Sequence, residues 1–169
     1  MAYAILFLVL LLADQLTKAA AYAAYGESVD LIKGWLGIEA VPQNTGISFG
    51  WFSDEPWAMP VFIGLTCVAL VVLFAVCLRL KGKRRFLRVS LVLIMVGAAG
   101  NLIDRCVEKG VRDFIYMNFG FVDFHNNVAD IAIAIGAVLL VIALLFVDRA
   151  AVFRSSQEEE TPEEEGENG

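Results

Sequence analysis

Four long runs of apolar residues divide the chain, and shorter polar or charged stretches separate them. A run of about 18 or more apolar residues is long enough to cross a bilayer as an α-helix. The pattern therefore predicts transmembrane spans at residues 2–24, 57–78, 86–103 and 128–147. The fold class that follows is a membrane protein, mainly α, built as a bundle of four transmembrane helices.

Two polar segments, residues 25–56 and 104–127, join the first span to the second and the third to the fourth. In the first segment, Leu31–Trp35 and Gly37–Val41 are candidates for short strands. The second segment is rich in aromatic residues, and we expect it to be a loop. The bundle should therefore carry a small β-containing cradle.

The composition agrees with a location in the bilayer. Hydrophobic residues make up 59% of the 169 positions, whereas soluble domains contain about 45–50% apolar residues. Much of the net charge of −6 lies in the glutamate-rich stretch 155–169, which lacks the apolar residues that a folded core requires. We therefore expect one four-span domain, residues 1–154, and a disordered acidic C-terminal tail.

A cluster of basic residues predicts the orientation of the bundle. The cluster extends from the end of the second span into the start of the third, and it contains Arg79, Lys81, Lys83, Arg84, Arg85 and Arg88. Short loops rich in Lys and Arg remain in the cytoplasm, so both termini should be cytoplasmic and segments 25–56 and 104–127 non-cytoplasmic. We expect no nucleic-acid partner, because this loop is short and held between two spans.

The first apolar run contains two charged residues, Asp14 and Lys18. Their spacing of four places them on one helix face, which should contact protein rather than lipid. A cleaved signal peptide is the alternative, because Ala21-Tyr22-Ala23 resembles a cleavage site. A retained helix is favoured, because no Lys or Arg precedes the run and charges interrupt it.

A polar stripe ends the third span. It contains Gly97, Gly100, Asn101, Asp104 and Arg105. The spacing i, i+3, i+4, i+7, i+8 places these residues on one helix face. The small residues alone would indicate a helix-packing face, but the amide and charged residues favour a functional site, because polar groups at membrane depth are costly.

Two aspartates, Asp113 and Asp130, flank the aromatic-rich segment before the fourth span. Asn127 is well placed to cap the fourth helix, so a purely structural role of Asp130 near the helix dipole is the alternative. The predicted topology nevertheless brings both aspartates to the same membrane face as Asp14 and Asn44. We interpret Asp113 and Asp130 as a catalytic pair at the non-cytoplasmic side.

The proposed chemistry follows from the proximity of two carboxyl groups, which share a proton because both cannot ionise cheaply. The ionised carboxylate can take a proton from water that attacks an amide, and the protonated one can deliver a proton to the leaving nitrogen. The pair needs no metal or other cofactor. We expect no metal site, because His125 is the single histidine and Cys67, Cys77 and Cys106 have no ligand-like spacing. His125 and Cys106 are expected in loops, and Cys67 and Cys77 inside the apolar core.

Five motifs resemble those of the lipoprotein signal peptidases, also called signal peptidase II. They lie at Asp14–Lys18, Gln43–Gly50, Gly97–Arg105, Val111–Ile115 and Asn127–Asp130. The resemblance implies an intramembrane aspartyl endopeptidase of the bacterial inner membrane. Its implied substrates are prolipoproteins that carry diacylglycerol on a cysteine, and cleavage occurs just before that cysteine.

The resemblance also implies roles for particular residues. Asp113 and Asp130 correspond to the catalytic dyad. The supporting polar shell corresponds to Asp14, Lys18, Asn44, Gly97, Asn101, Arg105 and Asn127. Residues 25–56 would hold the lipid-modified substrate beside membrane lipid, and globomycin-type cyclic peptides would inhibit the enzyme.

Three positions depart from the family pattern, namely Ala98, Arg112 and Asn126, and we expect them to affect substrate preference rather than the chemistry. A small proton-coupled transporter would also require membrane carboxylates, but the sequence shows no internal repeats or interrupted helices. A presenilin-type protease would need a Gly-x-Gly-Asp pattern, which is absent. A serine/lysine peptidase using Ser48 and Lys18 would leave the aspartates unexplained.

Overall fold

The computed structural model describes residues 1–46, 52, 55–80 and 84–147. It contains four helices that are long and apolar enough to cross a membrane, which confirms the predicted number of spans. They are α1 (Ala2–Ala23), α2 (Ala58–Arg79), α3 (Arg85–Val107) and α4 (Val128–Ile142), which continues as a π-helical segment over Ala143–Val147. The acidic tail, Ser48 and part of the basic loop lie outside the described residues.

Helix α3 is the centre of the bundle. Half of the residues in the most apolar part of α3 are buried, whereas none are buried in the corresponding part of α2. Helix α3 also contacts all three other helices. Its residues Val92 and Val96 pack with Ala132 of α4 to form the core. Val68 and Val71 of α2 remain exposed, as expected for apolar side chains that face lipid.

Small residues allow α3 and α4 to approach closely. A Cβ atom added to Gly97 would collide with the carbonyl oxygen of Ala129, and one added to Gly136 would come within 2.9 Å of the Ser90 carbonyl oxygen. Backbones that pack this closely need glycine at the contact. Gly97 is therefore a packing residue, while the polar residues further along the same stripe of α3 contact other polar groups.

In the described part of the chain, four short strands form one antiparallel sheet in the order β1-β2-β3-β4. Two strands lie between α1 and α2, namely β1 (Ser28–Ile32) and β2 (Leu36–Glu39). Both begin earlier than predicted from the sequence. The difference arises because Gly34, with a φ of 68°, lies in the turn between them, inside the segment that we expected to be the first strand.

The segment that we expected to be an aromatic-rich loop instead contains a hairpin. Its strands are β3 (Ile115–Asn118) and β4 (Asp123–Asn126). Gly120, with a φ of 80°, lies in the connection, and its N–H donates to the Asn118 side chain at 2.6 Å. His125 is consequently a strand residue rather than a loop residue.

Two cysteine predictions are also wrong. Cys106 lies in the last turn of α3, which continues to Val107 instead of ending at residue 103. Cys67 is exposed on α2 rather than buried, because that helix presents much of its surface outward.

Pairing of β2 with β3 joins the two inter-helix segments, for example at Leu36 and Met117. The C-terminal ends of α1 and α3 and the N-terminal ends of α2 and α4 therefore meet at one end of the bundle. We call this the sheet end. Because Asp113 and Asp130 both lie there, the fold brings the predicted pair to one place.

Candidate active site

A cleft of about 1000 Å³ lies at the sheet end between α2, α3, α4 and the sheet. Its apolar lining includes Leu65 and Ala69 of α2 and Ile133 and Ala134 of α4. Its polar lining includes Asn44, Asn101, Arg105, Asp113, His125 and Asp130. The cleft thus combines an apolar wall within the bundle with a polar group of residues where the helices meet the sheet.

Asp113 is held by the backbone on both sides of it. Val111 exchanges two 2.8 Å backbone hydrogen bonds with Asn44, and the Phe114 N–H donates to the Asn126 carbonyl at 2.9 Å. Tyr22 of α1 donates from its hydroxyl to the Val41 carbonyl at 2.5 Å and to the Asp113 carbonyl at 3.4 Å. Asp113 as a whole is only 5% exposed.

Asp130 lies in the first turn of α4, where Asn127 forms the N-cap predicted from the sequence. The Asn127 side chain accepts the Asp130 N–H at 3.0 Å, and Asp130 Oδ2 accepts the Asn127 backbone N–H at 3.2 Å. This reciprocal pair is a capping box. Asp130 therefore has the structural role at the helix N-terminus that the sequence offered as the alternative. The capping box uses only Oδ2 of the Asp130 carboxylate.

Two asparagine amides connect the two carboxylates. Asn127 Nδ2 donates to Asp113 Oδ1 at 2.7 Å and to Asn101 Oδ1 at 3.2 Å. Asn101 Nδ2 in turn donates to Asp130 Oδ1 at 2.8 Å. Asn44 Nδ2 makes a longer contact of 3.5 Å with Asp113 Oδ2. Both aspartates are thus oriented by amide donors.

The environment of Asp113 raises the pKa of its carboxyl to about 6. Burial is the main cause, and the negative charge of Asp130 is the second. Hydrogen bonds from Asn127 and Asn44 act in the opposite direction, because they favour the ionised form. A carboxyl with this pKa can both take and release a proton near neutral pH.

Lys18 is fully buried and contacts three partners at the back of the site. Its Nζ lies 2.9 Å from Asp14 Oδ2, 3.1 Å from Asp104 Oδ2 and 3.0 Å from Asn101 Oδ1. The prediction that Asp14 and Lys18 share a helix face that contacts protein is confirmed, and the two side chains also pair with each other. Because Asn101 also binds Asp130, Lys18 links the ion pairs to the candidate catalytic carboxylates. These contacts make α1 part of the folded bundle.

Arg105 reaches the cleft from α3. Its Nη2 donates to the Gly46 carbonyl at 3.2 Å, and its guanidinium carbon lies 5.9 Å from the centroid of the Phe62 ring. Within the described residues, Arg105 Nε and His125 Nε2 are buried and have no hydrogen-bond partner. Both side chains line the cleft that Asp113 and Asp130 also line.

The structure brings together the polar residues that the sequence singles out, with Gly97 packing beside them. It adds three residues that sequence reasoning missed as site residues, namely Gln15, Tyr22 and Arg112. Asp104 was recognised only as part of the stripe on α3, yet it is fully buried between Lys18 and Arg112. In the described ranges, no group of three or more His, Cys, Asp or Glu side chains could hold a metal ion.

The fold and the site together define an integral membrane protein with a carboxylate-lined cleft at one end of a four-helix bundle. Comparison with known families gives a match to the model for signal peptidase (SPase) II over residues 6–146. The chain belongs to the signal peptidase II family, and it is therefore a bacterial integral membrane protein of a peptidase family.

Curated relatives and solved structures agree with this assignment. The chain is 32% identical over 148 residues to a lipoprotein signal peptidase of Symbiobacterium thermophilum, covering 86% of this chain and 95% of the relative. It is 33% identical over 151 residues to that of Bacillus velezensis, with the same two coverages. A solved bacterial membrane enzyme superposes with a TM-score of 0.74 at 26% identity, covering 96% of this chain and 94% of its own.

Proposed function

We propose that this protein is an intramembrane aspartyl endopeptidase that removes the signal peptide from diacylglyceryl-modified prolipoproteins, cutting just before the lipidated cysteine. The observation that carries the proposal is a pair of carboxylates, the buried Asp113 and the half-buried Asp130. Both line one cleft and are bridged by Asn127 and Asn101. The relatives named lipoprotein signal peptidase support the substrate class.

The two carboxylates can divide the steps of amide hydrolysis between them. The ionised member takes a proton from water, whose oxygen then attacks the scissile carbonyl carbon. The protonated member donates a hydrogen bond to the carbonyl oxygen and later transfers a proton to the leaving nitrogen. The raised pKa of Asp113, about 6, supports a pair that exchanges one proton during turnover.

The shape of the cleft supports a substrate that is anchored in the membrane. Its apolar wall, which includes Leu65 and Ile133, lies between two membrane-spanning helices. An apolar signal peptide or lipid chain would bury its surface there, while the scissile amide would lie at the polar end near Asp113 and Asp130. Globomycin-type cyclic peptides, which the family resemblance implies as inhibitors, would compete for the same cleft.

We further propose that the sheet end lies at the non-cytoplasmic face of the bacterial inner membrane and that both termini are cytoplasmic. The basic cluster between α2 and α3 supports this orientation. A topology reporter fused after Arg84 should report cytoplasm, and one inserted near Gly26 should report the opposite side. The reverse pattern would place the carboxylates at the cytoplasmic face and contradict the proposed orientation.

Cleavage by the purified protein in detergent micelles tests the function directly. A diacylglyceryl-modified precursor should be cut before its modified cysteine, and the same precursor without the lipid should be a much poorer substrate. A globomycin-type peptide should inhibit the reaction. If the lipid-modified precursor remains intact in the presence of folded protein, the proposed function is wrong, and proton-coupled transport becomes the next candidate to assay.

The assignment of the dyad has its own test. Asp113→Asn and Asp130→Asn keep the size of each side chain but remove the acid. Because general acid–base catalysis contributes roughly 10²–10⁴-fold and residues that act as a unit are not additive, each variant should lose most turnover and the double variant should be little worse. Near wild-type turnover in either folded variant would rule out the aspartyl mechanism.

A further inference from the structure

Arg112, which directly precedes Asp113, is bound to Asp104 through both its backbone and its side chain. Its backbone N–H donates to Asp104 Oδ2 at 3.0 Å. Its guanidinium donates to Asp104 Oδ1 from Nη2 at 2.7 Å and from Nε at 3.2 Å. Nη2 also donates to Gln15 Oε1 of α1 at 2.9 Å. The residue before Asp113 is therefore attached to both α3 and α1.

Arg112 also balances buried charge. Asp14, Lys18 and Asp104 have side chains with no exposure to solvent, and these three groups alone carry one excess negative charge. An uncompensated charge in a buried position is strongly unfavourable. The guanidinium of Arg112, which is 12% exposed, supplies the second cation. Asp104 thus has two cationic partners, Lys18 and Arg112. Lys18 also donates to Asn101, which in turn binds Asp130.

We propose that Arg112 is a positioning residue that, through its bonds to Asp104, fixes the backbone presenting Asp113 to the cleft. This inference rests on the proposed peptidase function of that site. Arg112 is absent from the cleft lining that the described residues form, so its effect on the reaction passes through Asp113. Loss of Arg112 should therefore lower kcat and leave KM nearly unchanged.

The return loop between α3 and β3 offers a matched control. Lys109 lies three residues before Arg112 in that loop, is exposed, and contacts the Cys106 carbonyl at 3.4 Å rather than Asp104. Arg112→Met and Lys109→Met each replace one cation by the same neutral side chain. Arg112→Lys keeps the cation but loses the forked donor geometry of the guanidinium, so it should restore part of the lost function.

Two readouts are measured on the purified full-length protein: kcat and KM for a lipid-modified precursor, and backbone hydrogen exchange of peptides covering residues 111–115. Arg112→Met should reduce kcat on the order of 10²-fold, as expected when a reacting group is misplaced by about 1 Å. It should also accelerate exchange at residues 111–115. Lys109→Met should change neither quantity, and Arg112→Lys should lie between Arg112→Met and the wild type.

The double variant Asp104→Asn/Arg112→Met covers the case in which Arg112→Met does not fold. It removes one charge of each sign, so the remaining Asp14–Lys18 pair is balanced while the guanidinium contacts to residue 104 stay lost. Wild-type exchange and kcat in either folded variant would overturn the proposal. If the wild-type protein does not cleave the precursor, the proposed function fails, whereas the exchange comparison still decides whether Arg112 holds the Asp113 backbone.

Discussion

The carboxylate of Asp14 accepts a 2.8 Å hydrogen bond from the backbone N–H of Ala129. Ala129 lies in the first turn of α4, where backbone N–H groups have no partner within their own helix. A side chain of α1 therefore completes the N-terminus of α4, next to the cap that Asn127 provides. The other oxygen of Asp14 binds Lys18 at 2.9 Å, so this carboxylate joins helix packing to the charge network behind the site.

Two substitutions of Asp14 separate these roles. Asp14→Leu leaves both the Ala129 N–H and Lys18 without this acceptor, and breaking a buried ion pair typically costs about 3–5 kcal/mol. Asp14→Asn removes the charge but retains an oxygen that can accept the Ala129 N–H. Thermal unfolding in detergent should therefore show a larger loss of Tm for Asp14→Leu. Equal losses would indicate that the hydrogen bond to Ala129 contributes little.

The close contact of α3 with α4 gives a second prediction. Gly97→Ala should force the two helices apart, because its Cβ would collide with the Ala129 carbonyl oxygen, and overpacking typically costs about 1–3 kcal/mol. The control is Gly64→Ala in α2, where an added Cβ meets no atom within 4 Å. That change should be neutral or slightly stabilising, because alanine favours helix more than glycine does.

Melting temperature and cleavage rate are the measurements for both glycine variants. Displacement of α4 would also move Asp130, so Gly97→Ala should lose activity together with stability. A Gly97→Ala protein that melts at the wild-type temperature would show that the packing of α3 on α4 tolerates a methyl group at this position.

Asn127 combines a structural and a functional contact, and serine can separate them. Asn127→Ala should lose the cap, which is worth about 1 kcal/mol, together with the amide donor to Asp113. Asn127→Ser retains a good capping oxygen but also lacks that donor. We therefore expect serine to restore most of the Tm that alanine loses, while cleavage remains impaired in both variants. Activity that follows Tm across the two variants would show that Asn127 acts as a cap alone.

The helices could be predicted from the sequence because each apolar run has the length that a bilayer-spanning helix needs, about 18 residues or more. Apolar runs in the core helices of soluble proteins are typically shorter. The sheet could be predicted only in part. The β3–β4 hairpin had a local signal, since Asn118 and Gly120 form a turn between aromatic and β-branched residues. Its pairing with β2, for example Leu36 with Met117, joins residues distant in sequence and has no local signal.

The same distinction applies to the site. The pair Asp14–Lys18 was predictable, because a spacing of four fixes the helix face. The extension of that pair to Asp104 and Arg112 was not, because it depends on how α1, α3 and the return loop pack. In the sequence, Arg112 is only a departure from the family pattern, since a charge on a loop is usually solvated. Only the tertiary structure shows that Arg112 binds the buried carboxylate of Asp104.

The raised pKa of Asp113 predicts a specific dependence of stability on pH. The folded protein holds this proton with a pKa of about 6, against the ordinary aspartate pKa of 3.8. The folded state thus binds more protons than the unfolded state between these values. Ionised Asp113 therefore destabilises the fold above pH 6, by up to about 3 kcal/mol from the size of the shift. This cost disappears as the pH falls towards 4.

Asp113→Asn makes the side chain permanently neutral and so removes that cost. The variant should melt at a higher temperature than the wild type at pH 7.5, and the difference should shrink steadily as the pH is lowered through 6. Glu27→Gln is the control, because it makes the same acid-to-amide change at an exposed residue of the sheet end. Only the wild-type carboxyl changes its charge in this pH range, so a raised pKa requires the Tm difference between Asp113→Asn and wild type to change with pH. A difference that stays constant from pH 7.5 to 4.5 would contradict the raised pKa.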